Sequence, residues 1–450
     1  MKLTDRLLQL DPAWRFALTA YLIARVALSG WAMLIALLFP TLTQNLELFG
    51  APVLASFNLH TSERFAYARQ VNGQTLTFRG GDAGQVIDIQ TGSVWSLHDG
   101  QAISGTFAGQ SLQASLYPVE DIFPYRGAAP SSINALAVWQ RFDTNWYLKI
   151  AQRGYSADDG SAVYFPLYPM LIRVVGLMVR DDLLAAIIVA NLALIGALVL
   201  LYRLSVDVSD EPATRRTIVY LLLFPAGFFL FAAYTESLFL FCTLGAFFFA
   251  RQNRWYVATL LAVLAALTRL QGVLLIVPLA WLWWQRRGVQ KSPFTFYVLF
   301  LIPLATLIFL SFTNLSLINS YTGELHARFV LPWENLGTAV AWVFAGKASF
   351  IDVTNLVITL GFGAMLIVVW QTLPREYALY AGLMFLTPLF RMTTMQPLVS
   401  MIRYVVVLFP VFIVWGRWGR NPWVNRAMVY LSFPMQLFFS AQFVLWGWVG

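Results

Sequence analysis

Over 450 residues the chain is 59% hydrophobic and 12% charged, where a soluble domain carries roughly 25% charge, so there are too few charges to coat a water-exposed surface of this size. The formal charge of +8 does not point to nucleic acid, because the basic residues form no stripe interleaved with aromatic platforms; they sit in short clusters between apolar runs, as in membrane proteins. The single cysteine, Cys242, lies inside an apolar run, which excludes a disulfide within one chain and makes it a small core residue.

Lys2 and Arg6 precede an apolar stretch from about Trp14 to Phe39. It is longer than the core of a signal peptide and no small-residue cleavage site follows, so it is expected to stay attached as the first span. Residues 1–43 are thus a cytoplasmic segment with the first transmembrane helix. Residues 44–130 follow as a β-rich extracytoplasmic insertion. From Ala55 to about Tyr117 the runs Thr75–Arg79, Val86–Ile89 and Val94–Leu97 alternate with period two, and Asn72-Gly73 and Asp99-Gly100 lie between runs, the pattern of antiparallel hairpins.

Residues 131–182 are aromatic and amphipathic, an external loop in which Val163–Val179, interrupted by Pro166, Pro169 and Arg173, is expected to lie in the interface or re-enter. Residues 183–450 form a transmembrane bundle with spans at 183–203, 217–233, 236–250, 255–269, 272–285, 294–314, 352–371, 377–390, 403–416 and 427–448, and an external loop at 315–350. With the first span this makes eleven. The connections placed inside carry Arg203, Arg215 and Arg216; Arg251 and Arg254; Arg286, Arg287 and Lys291; Arg375; and Arg417, Arg420 and Arg426, so every one is basic, as the positive-inside rule requires. The fold class expected is an α-helical polytopic membrane protein, in a bacterial plasma membrane with its working face outside, or in an endoplasmic reticulum membrane facing the lumen.

Asp143 is a lone carboxylate among aromatics just outside the first span. There it is placed either to take a proton from an attacking hydroxyl or to cap a helix and pair with Arg141 or Lys149. Charges at the ends of apolar spans are costly and therefore functional candidates: Arg269, Arg391 and Arg403 near outer ends suit phosphate recognition, or snorkel to headgroups or pair with Glu236, and Glu236 either balances an arginine or orients the acceptor. Asp158 and Asp159 are candidates to assist a base or bind a cation, or are solvated loop carboxylates, and Arg25 sits mid-span. His60, His98 and His326 are too scattered for a metal site, and no cofactor is called for. Asn319–Lys347, with Tyr321, Glu324, His326, Arg328 and Trp333, is either a lid or a plain connecting loop.

The run from Phe142-Asp143 through Tyr147-Leu148, Ile150-Ala151 and Gly154-Tyr155 to Phe165-Pro166-Leu167-Tyr168-Pro169 resembles the PIG-V-type family, the GPI mannosyltransferase II relatives among the GT-C glycosyltransferases. The resemblance continues at Phe224-Pro225, Ala233–Phe239, Thr268–Gly272 and Ser400–Tyr404, in the family's order. Two features depart from the pattern: Phe142 stands where the family has Trp, and the β-rich insertion precedes the motif. The resemblance implies a GT-C-like fold and inverting transfer of mannose from a polyprenyl- or dolichyl-phosphate carrier to a lipid, glycan or protein acceptor, without nucleic acid as a partner. It makes Asp143 the candidate base, Arg403 and Arg269 the candidate phosphate ligands, and Trp146, Tyr147, Tyr164, Tyr168, Glu236 and Tyr404 the candidate substrate contacts. A flippase for a lipid-linked glycan is the alternative, since it too needs buried arginines and many spans. A membrane-anchored binding module is a third.

Overall fold

The structure, a computed structural model, describes residues 11–48, 50–59, 61, 63–82, 84–117, 119, 123–129, 131, 134–156, 160–288, 294–312, 327–393 and 396–449. Lys2, Arg6, His60, Asp158, Asp159, Lys291 and the part of the external loop that holds Tyr321, Glu324 and His326 lie outside the described residues. The chain divides into two compact units, one of Ser29–Lys149 with Ala441–Trp448, the other of the N-terminal stretch to Leu28 with Ile150–Ser440 and the last two residues.

Helix α1 (Pro12–Leu38) is 27 residues long, enough to cross a bilayer. After it the smaller unit is built of strands. β1 (Thr41–Leu48), β2 (Ala51–Asn58) and β3 (Arg64–Ala68) form one antiparallel sheet in that order, and β4 (Gln70–Val71) and β5 (Gln74–Thr75) a two-stranded ribbon. β6 (Phe78–Gly80), β7 (Gln85–Asp88), β8 (Val94–Ser96) and β9 (Ala102–Ser104) form a four-stranded sheet in chain order. Strand pairing thus begins at Thr41, fourteen residues before Ala55, where the β-patterned stretch of the sequence begins, because β1 takes its register from β2, with Thr41 opposite Asn58.

The turn chemistry is local. Asn72 and Gly73 both take positive φ (51° and 79°), as a two-residue hairpin needs to match strand twist. The core gathers Leu54, Leu76, Phe78, Val86, Trp95 and Leu97. Beneath it Asp88 is fully buried, and its carboxylate accepts from the amides of Thr91 (2.6 Å) and Ser93 (3.1 Å), the Thr91 hydroxyl (2.8 Å) and the Trp95 indole (3.0 Å). Four donors on one carboxylate close the β7–β8 turn and hold the largest ring of the core. Helix α2 (Asp143–Arg153) leads out of this unit.

The larger unit is helical: α3 (Leu167–Val179), α4 (Asp182–Val206), α5 (Glu211–Leu223), α6 (Glu236–Arg251), α7 (Trp255–Thr268) and α8 (Ile276–Gln285), then a turn at Phe294–Tyr297 leading to α9 (Leu301–Phe312). A short strand β10 (Ala327–Phe329) precedes α10 (Pro332–Phe344), α11 (Phe350–Thr372) and α12 (Arg375–Leu389). Strand β11 (Arg391–Thr393) pairs antiparallel with β10, and α13 (Met401–Tyr404), α14 (Phe409–Trp418) and α15 (Pro422–Val444) complete the chain. Among the described residues five helices are long and apolar enough to cross a membrane: Pro12–Leu38, Asp182–Val206, Phe294–Ser311, Phe350–Thr372 and Pro422–Val444. Met401–Trp418 adds a sixth if its two halves, bent by 79°, count as one. The protein is therefore a multi-pass membrane protein dominated by helix.

The run expected as a span at 217–233 is instead interrupted. Pro225 lacks an amide hydrogen and drives Phe224 into an extended conformation (φ −54°, ψ 142°), so α5 stops at Leu223. Helix α3, only 13 residues long, rises about 20 Å at 1.5 Å per residue and carries Met170, Val174, Leu177 and Met178 exposed.

The basic connections meet one another. Arg251 lies 3.6 Å from Asp207 and donates to Tyr377 (2.9 Å), and Arg286 donates to the Arg251 carbonyl. Arg417 donates to Ser209 (2.8 Å) and Thr372 (3.1 Å), Arg420 to Asp210 (2.6 Å), and Arg216 to the Gly416 carbonyl (2.8 Å). These arginines knit the connections together.

Burial works against the Asp88 carboxylate, but the hydrogen bonds from Trp95, Thr91 and the Thr91 and Ser93 amides outweigh it and hold its pKa below the usual aspartate value. A depressed folded pKa contributes stability above the unfolded value, roughly pH 3.9, that is lost as pH falls through the folded value. Tryptophan fluorescence of the protein in detergent should show a transition below about pH 4, and this component should be absent in Asp88→Asn, which should also melt at lower temperature at pH 7.

Candidate active site

The larger unit carries a buried ion cluster at three interruptions of helix. The first is 224–235. Every residue from Phe224 to Leu240 is buried, so the backbone carbonyls freed by the break need partners inside the protein. Gln436 donates to the Leu222 (2.6 Å) and Phe224 (3.2 Å) carbonyls. The Phe231 carbonyl accepts from Arg25 (2.9 Å) and Asn191 (3.1 Å), and the Leu230 carbonyl from Ser237 (2.6 Å). Arg25, the mid-span charge of the first helix, therefore caps broken backbone. Gly227 is obligatory: a Cβ there would stand 2.8 Å from the Leu222 carbonyl oxygen. The break delivers Glu236 as the first residue of α6, where the helix dipole favours a carboxylate.

The second interruption follows α7. Arg269 leaves the helix in an extended conformation (φ −151°, ψ 142°), and the chain turns back so tightly that a Cβ on Gly272 would lie 2.4 Å from the Ala266 nitrogen. The glycine of Thr268–Gly272 is thus what lets the arginine turn off the helix. The third is the bend at 401–418. Arg403 sits on α13, after Leu398 and Ser400, both held at positive φ (49° and 65°).

These three residues converge. Glu236 Oε1 accepts from Arg269 Nη1 at 2.9 Å and from Arg403 Nε at 2.5 Å, with the carboxylate wholly buried and the guanidinium side chains 11% and 8% exposed. Glu236 Oε2 is buried with no hydrogen-bond partner among the described residues. Aromatic faces complete the cluster. Arg403 lies over Tyr234 (4.6 Å) and Phe229 (5.3 Å), and Arg269 over Tyr404 (5.4 Å). Arg391 donates to the Tyr404 hydroxyl at 3.2 Å. Two guanidinium groups on one oxygen is an arrangement that water would screen almost to nothing; in a desolvated site each contact is strong, and removing the carboxylate is costly.

Of the other candidates, Tyr168 is fully buried and donates to the Ala186 carbonyl at 2.9 Å, joining α3 to α4. The Tyr164 carbonyl accepts from the Tyr155 hydroxyl at 2.7 Å, tying the Gly154-Tyr155 end of the motif to its Phe165-Pro166 start.

In the smaller unit Asp143 is half-buried and opens α2. The residue before it, Phe142, has φ 47°, strained for an aromatic side chain. What holds it there is a cage of rings from the chain's far end: Phe443 (5.8 Å), Trp446 (5.1 Å) and Trp448 (5.0 Å). Arg141 is fully buried, donates to the carbonyls of Val444 (2.9 Å), Ala137 (2.6 Å) and Gln140 (3.1 Å), and lies 5.4 Å from the Trp446 ring. Burial pulls its pKa down to about 10, against the opposing effect of Tyr125. Asn145 donates to the Pro124 carbonyl (3.2 Å), Tyr147 is buried, and Lys149 lies over Trp146 (5.1 Å). The role of 441–448 as a buttress for the Asp143 corner is legible in no local motif. Its only trace in the sequence is the late Phe443, Trp446 and Trp448. Among the described residues no group of three His, Cys, Asp or Glu side chains gathers to hold a metal ion.

A family model described as Mannosyltransferase (PIG-V) matches residues 124–287, the stretch that contains Asp143, Glu236 and Arg269. Over that stretch the chain is similar to the PIG-V-type family. None of the curated proteins and none of the solved structures matches. This match and the several helices long and apolar enough to cross a membrane support a membrane mannosyltransferase, which requires a sugar donor and an acceptor. Arg391, Arg403 and Tyr404 lie beyond the matched stretch; Arg403 meets it at Glu236, Tyr234 and Phe229, Tyr404 meets it at Arg269, and Arg391 bonds to Tyr404.

Glu236→Ala would leave two buried guanidinium groups without their carboxylate, at a cost of about 3–5 kcal/mol. A thermal melt in detergent should therefore shift far more for Glu236→Ala than for Arg328→Ala, which breaks an exposed pair with Glu334. Trp446→Ala should lower stability by about 3 kcal/mol or more, as for other buried ring deletions, and should raise proteolytic cleavage near 141–143.

Proposed function

We propose that this membrane mannosyltransferase is a GT-C-type enzyme that takes mannose from a polyprenyl- or dolichyl-phosphate carrier and transfers it, with inversion, to a lipid, glycan or protein acceptor at the extracytoplasmic face. The observation that carries this reading is the Glu236 carboxylate shared by Arg269 and Arg403 at three helix breaks. A carrier phosphate leaving the anomeric carbon develops charge on oxygen. Guanidinium forks held rigid in a desolvated site stabilise that charge without reorganising.

In the reaction proposed, Asp143 accepts the proton of the acceptor hydroxyl while that oxygen attacks the anomeric carbon. The bond from this carbon to the carrier oxygen breaks, and its electron pair leaves with the phosphate against Arg403 and Arg269. The strained corner at Phe142 supports a functional role for Asp143, since strain of this kind persists only where surrounding packing imposes it. The second oxygen of Glu236 is suited to accept from a sugar hydroxyl, and Trp146 and Tyr404 to pack on a sugar face.

The topology proposed has eleven crossings with the N-terminus in the cytoplasm, and residues 44–182 and 315–350 outside. Its support is that arginines assigned to the inner connections bond to residues of other inner connections, whereas Glu236, Arg269, Arg391 and Arg403, all assigned to outer ends, belong to the other group. Interrupted helices also occur in transporters, and the 79° bend at 401–418 favours glycan flipping as a second reading.

Radiolabelled polyprenyl phosphate mannose supplied with membrane extract tests this. Wild-type protein should label a lipid, glycan or protein product. Asp143→Asn should cut kcat by about 10²- to 10⁴-fold, the usual worth of a positioned base, and Arg403→Ala should act chiefly through the donor. Full transfer by Asp143→Asn would remove it as the base, and wild-type translocation of the carrier without transfer would establish the flippase.

A further inference from the structure

The segment that carries Arg391 and Arg403 has little regular structure of its own between the end of α12 and the start of α14, yet it must hold its arginines still. We propose that Asn335, on α10, is the positioning residue of this segment, with Asn355 on α11 as its second support. The ligand-affinity part of this proposal rests on the phosphate-binding reading of Arg403; the structural part does not.

Asn335 is completely buried. Its side-chain amide donates to the Leu389 carbonyl (3.0 Å) and the Arg391 carbonyl (2.8 Å), and its oxygen accepts from the Leu398 amide (2.8 Å). One side chain thus satisfies backbone groups on both arms of the excursion that runs from α12 through β11 to α13. Leu398 takes φ 49° and Ser400 φ 65°, so this excursion has a turn that no local preference stabilises. Two residues past that turn, Asn355 accepts from the Ile402 amide (3.0 Å), next to Arg403.

The rest of the 327–344 segment fastens the same excursion. Strand β10 pairs with β11, placing Phe329 opposite Arg391, and the Val330 amide donates to the Phe390 carbonyl (2.9 Å). The Phe329 and Phe390 rings stack at 5.4 Å. Arg391 and Arg403 are therefore placed by hydrogen bonds from outside their own segment. A carboxamide is suited to this because it donates and accepts without adding charge to a site whose function depends on charge.

Hydrogen exchange of full-length protein in lipid nanodiscs, together with its affinity for added polyprenyl phosphate, tests the proposal. Asn335→Ala should speed exchange at the amides of Leu398 and its neighbours by about tenfold or more, the scale of a lost buried hydrogen bond, with α4 and α6 unchanged. Affinity for polyprenyl phosphate should fall about tenfold, and Asn335→Gln, the same amide one methylene longer, should restore part of both. If Asn335→Ala does not fold, Asn355→Ala removes a single bond and should show a smaller version of the same local effect at Ile402. Unchanged local exchange in either alanine variant overturns the proposal, as does exchange that rises across α4 and α6 as well. So does retained affinity in the Asn335 variant when Arg403→Ala loses it. Should local exchange rise while neither variant alters affinity, Asn335 still positions the segment and the phosphate reading is what fails.

Discussion

A single carboxylate oxygen, Glu236 Oε1, takes hydrogen bonds from two arginines inside an apolar helical unit. Each of the three residues stands at a point where helix gives way to other backbone, so the ion cluster and the interruptions are one feature. Without the breaks the side chains would project from regular helices with no reason to meet. Without the charges three costly interruptions would converge on nothing. Desolvation makes such a cluster tight and intolerant of partial loss, a property suited to a site that must keep its geometry while the proposed phosphate-linked donor comes and goes.

Interrupting helices within an apolar unit frees backbone carbonyls, and polar side chains spread over distant elements absorb that cost. Gln436 from α15, Asn191 from α4 and Arg25 from α1 all serve the 222–231 backbone, and Asn335 and Asn355 serve 389–402. Each is an amide or guanidinium on an otherwise apolar helix, where its transfer from water would be unfavourable without these bonds. A polar residue in an apolar run is therefore not itself a sign of substrate contact in this protein. Several hold the backbone that holds the site. The Asp143 corner follows the same logic with rings instead of amides, since Phe142 keeps its left-handed conformation against Phe443, Trp446 and Trp448.

Several features were legible beforehand because they depend on local pattern. Asn72-Gly73 announced a hairpin, since few other dipeptides tolerate two positive φ values, and the apolar runs at Trp14–Phe39 and 183–203 announced helices α1 and α4. Glu236, Arg269 and Arg403 stood out because charges at the ends of apolar runs are rare. Pairing of these arginines with Glu236 was one of the readings the sequence left open; that Arg269 and Arg403 both settle on one oxygen of it was not legible, since the spacing of 33 and 167 residues between partners carries no local signature. The interruption at 224–235 was missed although Phe224-Pro225 was in view. An apolar composition reads as continuous span, and only the caps on its carbonyls make a break affordable.

The sequence by itself determined the membrane class, the PIG-V-type resemblance and the set of chemically capable residues, because composition, short motifs and the cost of charge in lipid are properties of neighbouring residues. The tertiary structure alone decided which of those residues meet, that Tyr168 is occupied as a strut while Glu236 is shared, and that Asn335 and the C-terminal aromatics hold segments far from them in the chain. Contacts between residues hundreds of positions apart arise from packing of whole helices, and no window along the chain contains both partners.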